Sequence, residues 1–389
     1  MRYADDEDQA DYRRAVRAFA TATLAPHYQS DDRAGAFRRQ TSLEMATMGL
    51  TGLRIPELFG GQEASAVIAG IAAEEVGRAD FNAAYVIVTT ALVSDILVRN
   101  ATAEQQARWL PGIATGETVA CICITEPAHG TDAAALELKA IPDGEPGPDG
   151  EPVAWRLHGE KTSITLGMSA DAGIVLARTG GPGARGVTAF WVDLADPGVT
   201  RYPFDDLGGR AIGRASLHFD GVRVGREDLV GAVGGGFVST MQGFDYSRAI
   251  IGLSCLGAAA QSLDEALQWA RDRQAFGQPI GRFQGVAFPL AEAAAYLAGA
   301  RHVCYEALWR KDEGLEHSAE AAMAKFWAPK LAVDVIHQCL LTLGHLGYCT
   351  ESPVGQRMRD VIGLEIGDGT AQVSQLVVAR SLLGRDFAP

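Results

Sequence analysis

Apolar residues change their spacing twice along this chain, and those two changes constrain the fold more than any other property of the sequence. Up to about residue 115 they recur at helical intervals. Tyr12 to Ala20 is amphipathic, Ser65 to Arg78 carries a helical stripe, and Asn82 to Val98 is apolar nearly all round, as a buried helix is. Leu43 to Met48 reads as another helix, capped by Thr41 or Ser42. From about 118 to 228 the apolar residues fall in short strand-like runs: Val119 to Ile124, Trp155 to His158, Ala172 to Arg178, Val187 to Asp193 and Ser216 to Phe219. Ile141 to Pro152, with four prolines and three glycines, predicts a long exposed hairpin loop. From about Gly236 onward the pattern is helical again. The succession predicts a mainly α fold with a β insertion: a helical domain over 1–117, a β domain over 118–230 and a helical bundle over 231–389.

Composition narrows the function. The 389 residues are 47% hydrophobic and 21% charged, which describes a folded globular protein rather than a disordered one. A net charge of −14 argues against nucleic acid or an anionic membrane as the main partner, while leaving room for a local cation facing a phosphorylated ligand. The N-terminal stretch MRYADDEDQADYRR is acidic and lacks the apolar centre of a signal peptide. No apolar run is expected to reach the roughly 20 residues of a membrane span. The six cysteines include one close pair, Cys121 and Cys123, which alternation places on one face of a strand. Neither these nor His337 and His345 have zinc spacing, so six free thiols, no metal and a cytoplasmic location are expected. The 45 glycines follow no collagen period and must be located before they mean anything.

Several segments combine glycine with hydroxyl, cationic or carboxylate groups. Thr125-Glu126-Pro127-Ala128-His129-Gly130-Thr131-Asp132 follows a strand, and reads either as a capped turn or as hydroxyls presented to a planar polar ligand. Asp272 to Gly277 ends one helix and Pro279 to Gln284 opens the next. Arg273 there either favours the helix dipole or forks onto a phosphate. Gly344-His345-Leu346-Gly347-Tyr348 breaks a helical run. Ile366-Gly367-Asp368-Gly369-Thr370-Ala371-Gln372 sets a carboxylate between two glycines, as a helix cap or as a base on a turn that a ligand can approach closely. There is no P-loop, no nucleophile elbow and no dinucleotide fingerprint in a strand–turn–helix context.

In this order and at these distances, the segments resemble the acyl-CoA dehydrogenase flavoprotein family over nearly the whole chain. Thr125 to Asp132 is similar to its T-E-P-x-x-G-S/T-D segment, and Gly159 to Thr165 to its G-x-K-x-x-I-T motif. Phe219 to Val224, Arg273 to Gly277 with Gln284, and Asp368 to Gln372 match three more. The resemblance implies an N-terminal helical domain, a middle β-barrel domain and a C-terminal four-helix bundle, assembled as a homotetramer or homodimer. It implies FAD, with Thr125, Gly130, Thr131, Thr165, Thr370 and Gln372 at the cofactor. Arg273, Phe276 and Gln284 would reach the FAD of a neighbouring subunit, and Gly344 and Gly347 would lie beside it. Asp245 and Arg248 would meet the CoA, and Gly367 and Gly369 would border the acyl group. The implied reaction is α-proton abstraction by Asp368 with β-hydride transfer to the flavin, and electrons then pass to electron transfer flavoprotein or a similar acceptor.

Where the sequence departs from the family, it indicates substrate. The usual base is Glu, and Asp368 is one methylene shorter, about 1.5 Å of reach. Gly367 stands where straight-chain members often carry a large aromatic residue. Ser163 replaces a Trp that packs on the flavin, Leu166 an Asn, His345 a glycine and Leu341 a Gln. These last four alter the flavin's surroundings, while Gly367 with the short Asp368 predicts a wide pocket for a branched or alicyclic acyl-CoA, such as cyclohexane-carboxyl-CoA. Three alternatives stay open, one of them a non-catalytic relative that binds an acyl-CoA or a partner. Nitroalkane-oxidase-like flavin oxidases use Asp with an Arg seven residues later, where this chain has Gln375. Biosynthetic relatives take the acyl group on a carrier protein rather than on CoA.

Overall fold

The computed structural model describes residues 5–384 and 386–389; the first four residues of the acidic N-terminal stretch lie outside them. Helix α1 (Glu7–Phe19) starts at a capping box between Asp6 and Gln9, and runs into a single π-helical segment over Ala20–Leu24. Helix α2 (Tyr28–Ala34) stops at Gly35, which adopts φ +62°. Helix α3 (Arg39–Ala46) begins earlier than expected, after Arg38, so Thr41 and Ser42 are buried inside it rather than capping it. Ser65 caps α4 (Ala66–Ala79), Asp80 caps α5 (Phe81–Asn100), and a Thr102–Gln105 box opens α6 (Ala103–Ala114). Helix α5 corrects the expectation of no long apolar run: by length and composition its 20 residues could cross a membrane. They are almost wholly buried in protein, which identifies α5 as a core helix.

The middle zone forms one curled sheet of seven strands. They are β1 (Ala120–Cys123), β2 (Lys139–Pro142), β3 (Ala154–Ile164), β4 (Ala172–Arg178), β5 (Val187–Asp193), β6 (Val199–Pro203) and β7 (Ala215–Gly225). The order is β1-β4-β2-β3-β7-β6, with β5 paired to β4. β1 and β2 run parallel to β4, and the other pairings are antiparallel. β2 and β3 flank the Pro- and Gly-rich connection as an antiparallel hairpin, as its composition predicts. Cys121 and Cys123 do share a face, with their buried Sγ atoms 3.6 Å apart, and all six cysteines are free.

Helix α7 (Gly236–Asp272) opens the third zone, followed by a small hairpin of β8 (Gln274–Ala275) and β9 (Gln278–Pro279). Then come α8 (Gln284–Asp312), α9 (Ser318–Leu343), α10 (His345–Tyr348), α11 (Val354–Ile366) and α12 (Ala371–Leu383). α7 packs on α8 and α9, and its other side lies against α4 and α5 of the first zone. Part of the glycine excess makes that packing possible. A Cβ on Gly257 of α7 would stand 2.2 Å from the Glu74 carbonyl, and one on Gly77 of α4 would stand 2.5 Å from the Ser254 carbonyl.

A single buried carboxylate joins all three zones. Asp360 of α11 accepts hydrogen bonds from the Tyr28 hydroxyl (2.7 Å), the Asn82 amide (3.2 Å) and the Gly209 backbone N–H (2.7 Å). It thereby orients the helix whose C-terminal end carries Asp368.

Candidate active site

A cavity of about 290 Å³ lies where the zones meet. α5 lines it with Tyr85, Val88, Thr89 and Leu92, and α7 with Phe244 and Ile251. The loop after β1 contributes Thr125, Gly130 and Thr131, and the end of β3 contributes Ser163, Ile164 and Thr165. The α11–α12 turn closes it with Gly367, Asp368, Gly369 and Thr370, and Arg214 adds a cation from the start of β7. Two larger clefts, of about 1050 and 520 Å³, lie over the β zone around Arg178 and include none of the Asp368 turn. Volume alone does not select the site here; convergence of chemistry does.

Two of the sequence motifs meet beneath this cavity. Glu126, next to Thr125, accepts from the Glu137 and Leu138 backbone N–H groups at 2.6 and 2.8 Å. Lys161 of β3 donates to the Glu126 carboxylate at 2.8 Å and to the Ile124 carbonyl at 3.0 Å. Both side chains are buried. Burial raises the Glu126 pKa, and Lys161 with the backbone donors outweighs it, leaving the group below its ordinary value. The pair ties the Thr125–Asp132 loop to the strand bearing Ser163 and Thr165.

Asp368 sits in left-handed backbone at φ +56°, followed by Gly369 at +93°. The cap of α12 is Thr370, whose hydroxyl accepts from the Val373 N–H at 3.4 Å, so Asp368 is not the helix cap. The turn places Asp368 two residues ahead of the capping position, and its carboxylate makes no hydrogen bond among the described residues. Burial raises its pKa above the ordinary aspartate value, while Lys325, Arg248 and Arg214 pull it back. Lys325 of α9 is itself 1% exposed. Its ammonium donates to the Leu364 carbonyl at 2.7 Å and to the Gly369 carbonyl at 2.9 Å.

Of the residues expected from sequence, Thr125, Gly130, Thr131, Thr165, Gly367, Asp368, Gly369 and Thr370 surround the one cavity. The others lie elsewhere. Asp245 and Arg248 pair with each other on α7 at 2.6 Å, and Ser318 donates to Asp245. Gln372 is exposed in the first turn of α12. Gly344 ends α9 at φ +63°, and Gly347 is buried in α10. Arg273, Phe276 and Gln284 belong to the hairpin and the start of α8, where the Phe276 side chain is 94% exposed. Sequence reasoning missed Tyr85, Arg214, Phe244 and Lys325. Lys325 carried a signal, as a lone cation inside the apolar run Ala321 to Ala328; Arg214 carried none.

The cavity suits a planar ring with a polar edge. Besides Tyr85 and Thr89 of α5, five residues with hydroxyls (Thr125, Thr131, Ser163, Thr165 and Thr370) line it among apolar walls. A Cβ at Gly130 would meet nothing within 4 Å, so backbone is open to a ligand there. Among the described residues, no group of three or more His, Cys, Asp or Glu is placed to hold a metal ion.

Comparison with known proteins agrees along the whole chain. Three family models match in succession: the acyl-CoA dehydrogenase N-terminal domain over residues 6–117, the middle domain over 121–222 and the C-terminal domain over 234–383. A mitochondrial short-chain specific acyl-CoA dehydrogenase of Mus musculus is 33% identical, covering 95% of this chain and 89% of its own. The structure of butyryl-CoA dehydrogenase from Megasphaera elsdenii superposes with a TM-score of 0.93 at 30% identity, covering 98% of this chain and 100% of its own. That of the prolyl acyl carrier protein oxidase AnaB gives 0.90 at 26% identity, covering 97% and 100%.

Proposed function

The chain belongs to the acyl-CoA dehydrogenase family, and from that premise we propose that it desaturates a branched or alicyclic acyl-CoA, such as cyclohexane-carboxyl-CoA, with Asp368 as the base. It is an FAD-dependent oxidoreductase acting on acyl-CoA. FAD supplies the acceptor for the hydride that leaves the β carbon. The chain's own residues do the rest. Thr125, Thr131, Thr165 and Thr370 offer hydroxyls to the cofactor's polar edges, and open backbone at Gly130 lets a ring lie close. Asp368 takes the α proton on a carboxylate oxygen. Val88, Leu92, Phe244 and Ile251 exclude water around it, which keeps the carboxylate basic.

The observation that carries this reading is the Asp368 carboxylate, lining the cavity with no hydrogen-bond partner among the described residues. Gly367 and the small Ser163 line the same cavity as Asp368, which supports a bulky acyl group. The test compares butyryl-, isobutyryl-, isovaleryl- and cyclohexane-carboxyl-CoA as anaerobic reductants of the bound flavin. Preference for the straight chain would overturn the substrate assignment, and full flavin reduction in Asp368→Asn would remove Asp368 as base.

Electron transfer flavoprotein as acceptor, a homotetrameric or homodimeric assembly and a cytoplasmic location complete the proposal. The exposed Phe276 hairpin supports the assembly. A carrier-bound acyl group is the second reading, supported by the likeness to AnaB and by the pairing of Arg248 with Asp245, which leaves less free charge for CoA phosphates. Turnover of a carrier-loaded acyl group at the expense of the CoA ester would favour it.

A further inference from the structure

We propose that Lys325 is the positioning residue of the base: its ammonium staples both ends of the turn that carries Asp368, and so fixes where the carboxylate stands. The inference rests on the reading of Asp368 as the base. Its geometry is independent of that reading. The Leu364 carbonyl is one of the last of α11, where carbonyls lack helical partners, and the Gly369 carbonyl directly follows Asp368. Between these two acceptors the backbone passes through left-handed conformations at Asp368 and Gly369, which glycine adopts freely and aspartate tolerates without either enforcing them. One ammonium satisfying both carbonyls locks the turn from beneath, from a helix that begins some 50 residues earlier.

Lys325 also carries charge to the site. From α7, Arg248 and Cys255 face the pair; from α11 Glu365 does, from the start of β7 Arg214, and from α5 Tyr85. Among these groups Lys325 is the largest electrostatic influence opposing the rise of the Asp368 pKa. Its removal therefore has two effects. The carboxylate loses its fixed position, and it becomes harder to ionise.

The test is single-turnover flavin reduction as a function of pH, with whichever of butyryl-, isobutyryl-, isovaleryl- and cyclohexane-carboxyl-CoA reduces the wild-type holoenzyme fastest. In Lys325→Met the maximal rate falls about tenfold to a hundredfold, and the acid limb moves up by about one pH unit. Lys325→Arg, which keeps the charge, returns the limb towards wild type. An acid limb at the wild-type pH in a Lys325→Met protein that still binds FAD overturns the proposal, since a residue serving only stability lowers yield and Tm without moving the limb. If Lys325→Met does not fold, Lys325→Gln, which keeps donors and loses the charge, is read by the same criterion. Asp368→Asn separates the two readings: it abolishes reduction if Asp368 is the base, whatever Lys325 does.

Discussion

Asp368 occupies backbone that most side chains avoid, and aspartate is among the few residues other than glycine that tolerate it. An aspartate at this position thus fits the turn as well as the pocket. In Asp368→Glu the carboxylate is carried about 1.5 Å further, and flavin reduction is expected to slow by about a hundredfold. A faster Asp368→Glu enzyme would show that the pocket is built for the longer acid. Because the raised pKa comes from burial, the Asp368 carboxyl holds its proton at pH values where an ordinary aspartate is ionised. Reduction rates should therefore fall with decreasing pH above the normal aspartate range, as a stopped-flow pH profile will show. Asp368 was legible because two glycines frame it. Lys325 carried only the faint signal of a lone cation in an apolar run and Arg214 none, because a single cation has no spacing and its partners are set only by folding.

At the level of elements, caps and carboxylates hold α5 and α11 in register. Asp80 caps α5, accepting from the Ala83 N–H at 3.0 Å, and burial pushes its pKa up to about 7. Burial likewise raises Asp360 to about 6. A carboxyl group raised in the folded state contributes stability that is fully present below its unfolded pKa and is lost as pH rises through the folded one. Asn caps as well as Asp and does not ionise. Asp80→Asn should therefore be neutral at pH 4 and stabilising at pH 8, measured as Tm, and equal Tm differences at both pH values would refute the linkage. Lys161→Met leaves Glu126 charged and unpaired under the Thr125 loop, costing about 3–5 kcal/mol. The purified variant should retain less FAD, read as the ratio of flavin to protein absorbance. Element types were largely readable from apolar spacing. The start of α3 was not, since Thr41 and Ser42 look like caps until packing buries them.

At the scale of the molecule, much apolar surface lies outside the core. Phe276, Tyr348, Leu382 and Phe387 are more than two-thirds exposed, on the hairpin, α10 and the C-terminal segment. In solution the protein should have a mass that is a multiple of 41.2 kDa by light scattering. Phe276→Asp should lower that mass and release FAD together; a monomer with full FAD would separate assembly from cofactor binding. The order of domains was legible because periodicity changes wholesale, whereas the join at Asp360 draws on residues from three distant stretches and leaves no local mark.

Helix α5 is apolar enough for a bilayer, yet one of the helices that cover it, α7, begins roughly 140 residues later in the chain. At ribosomal rates of about 5–20 residues per second, on the order of ten seconds separate the two. During that interval the wall of the future cavity leaves the ribosome without its shelter. Nascent chains stalled before Gly236 should therefore be captured by chaperones, or mistaken for membrane cargo, more readily than chains stalled after Asp272.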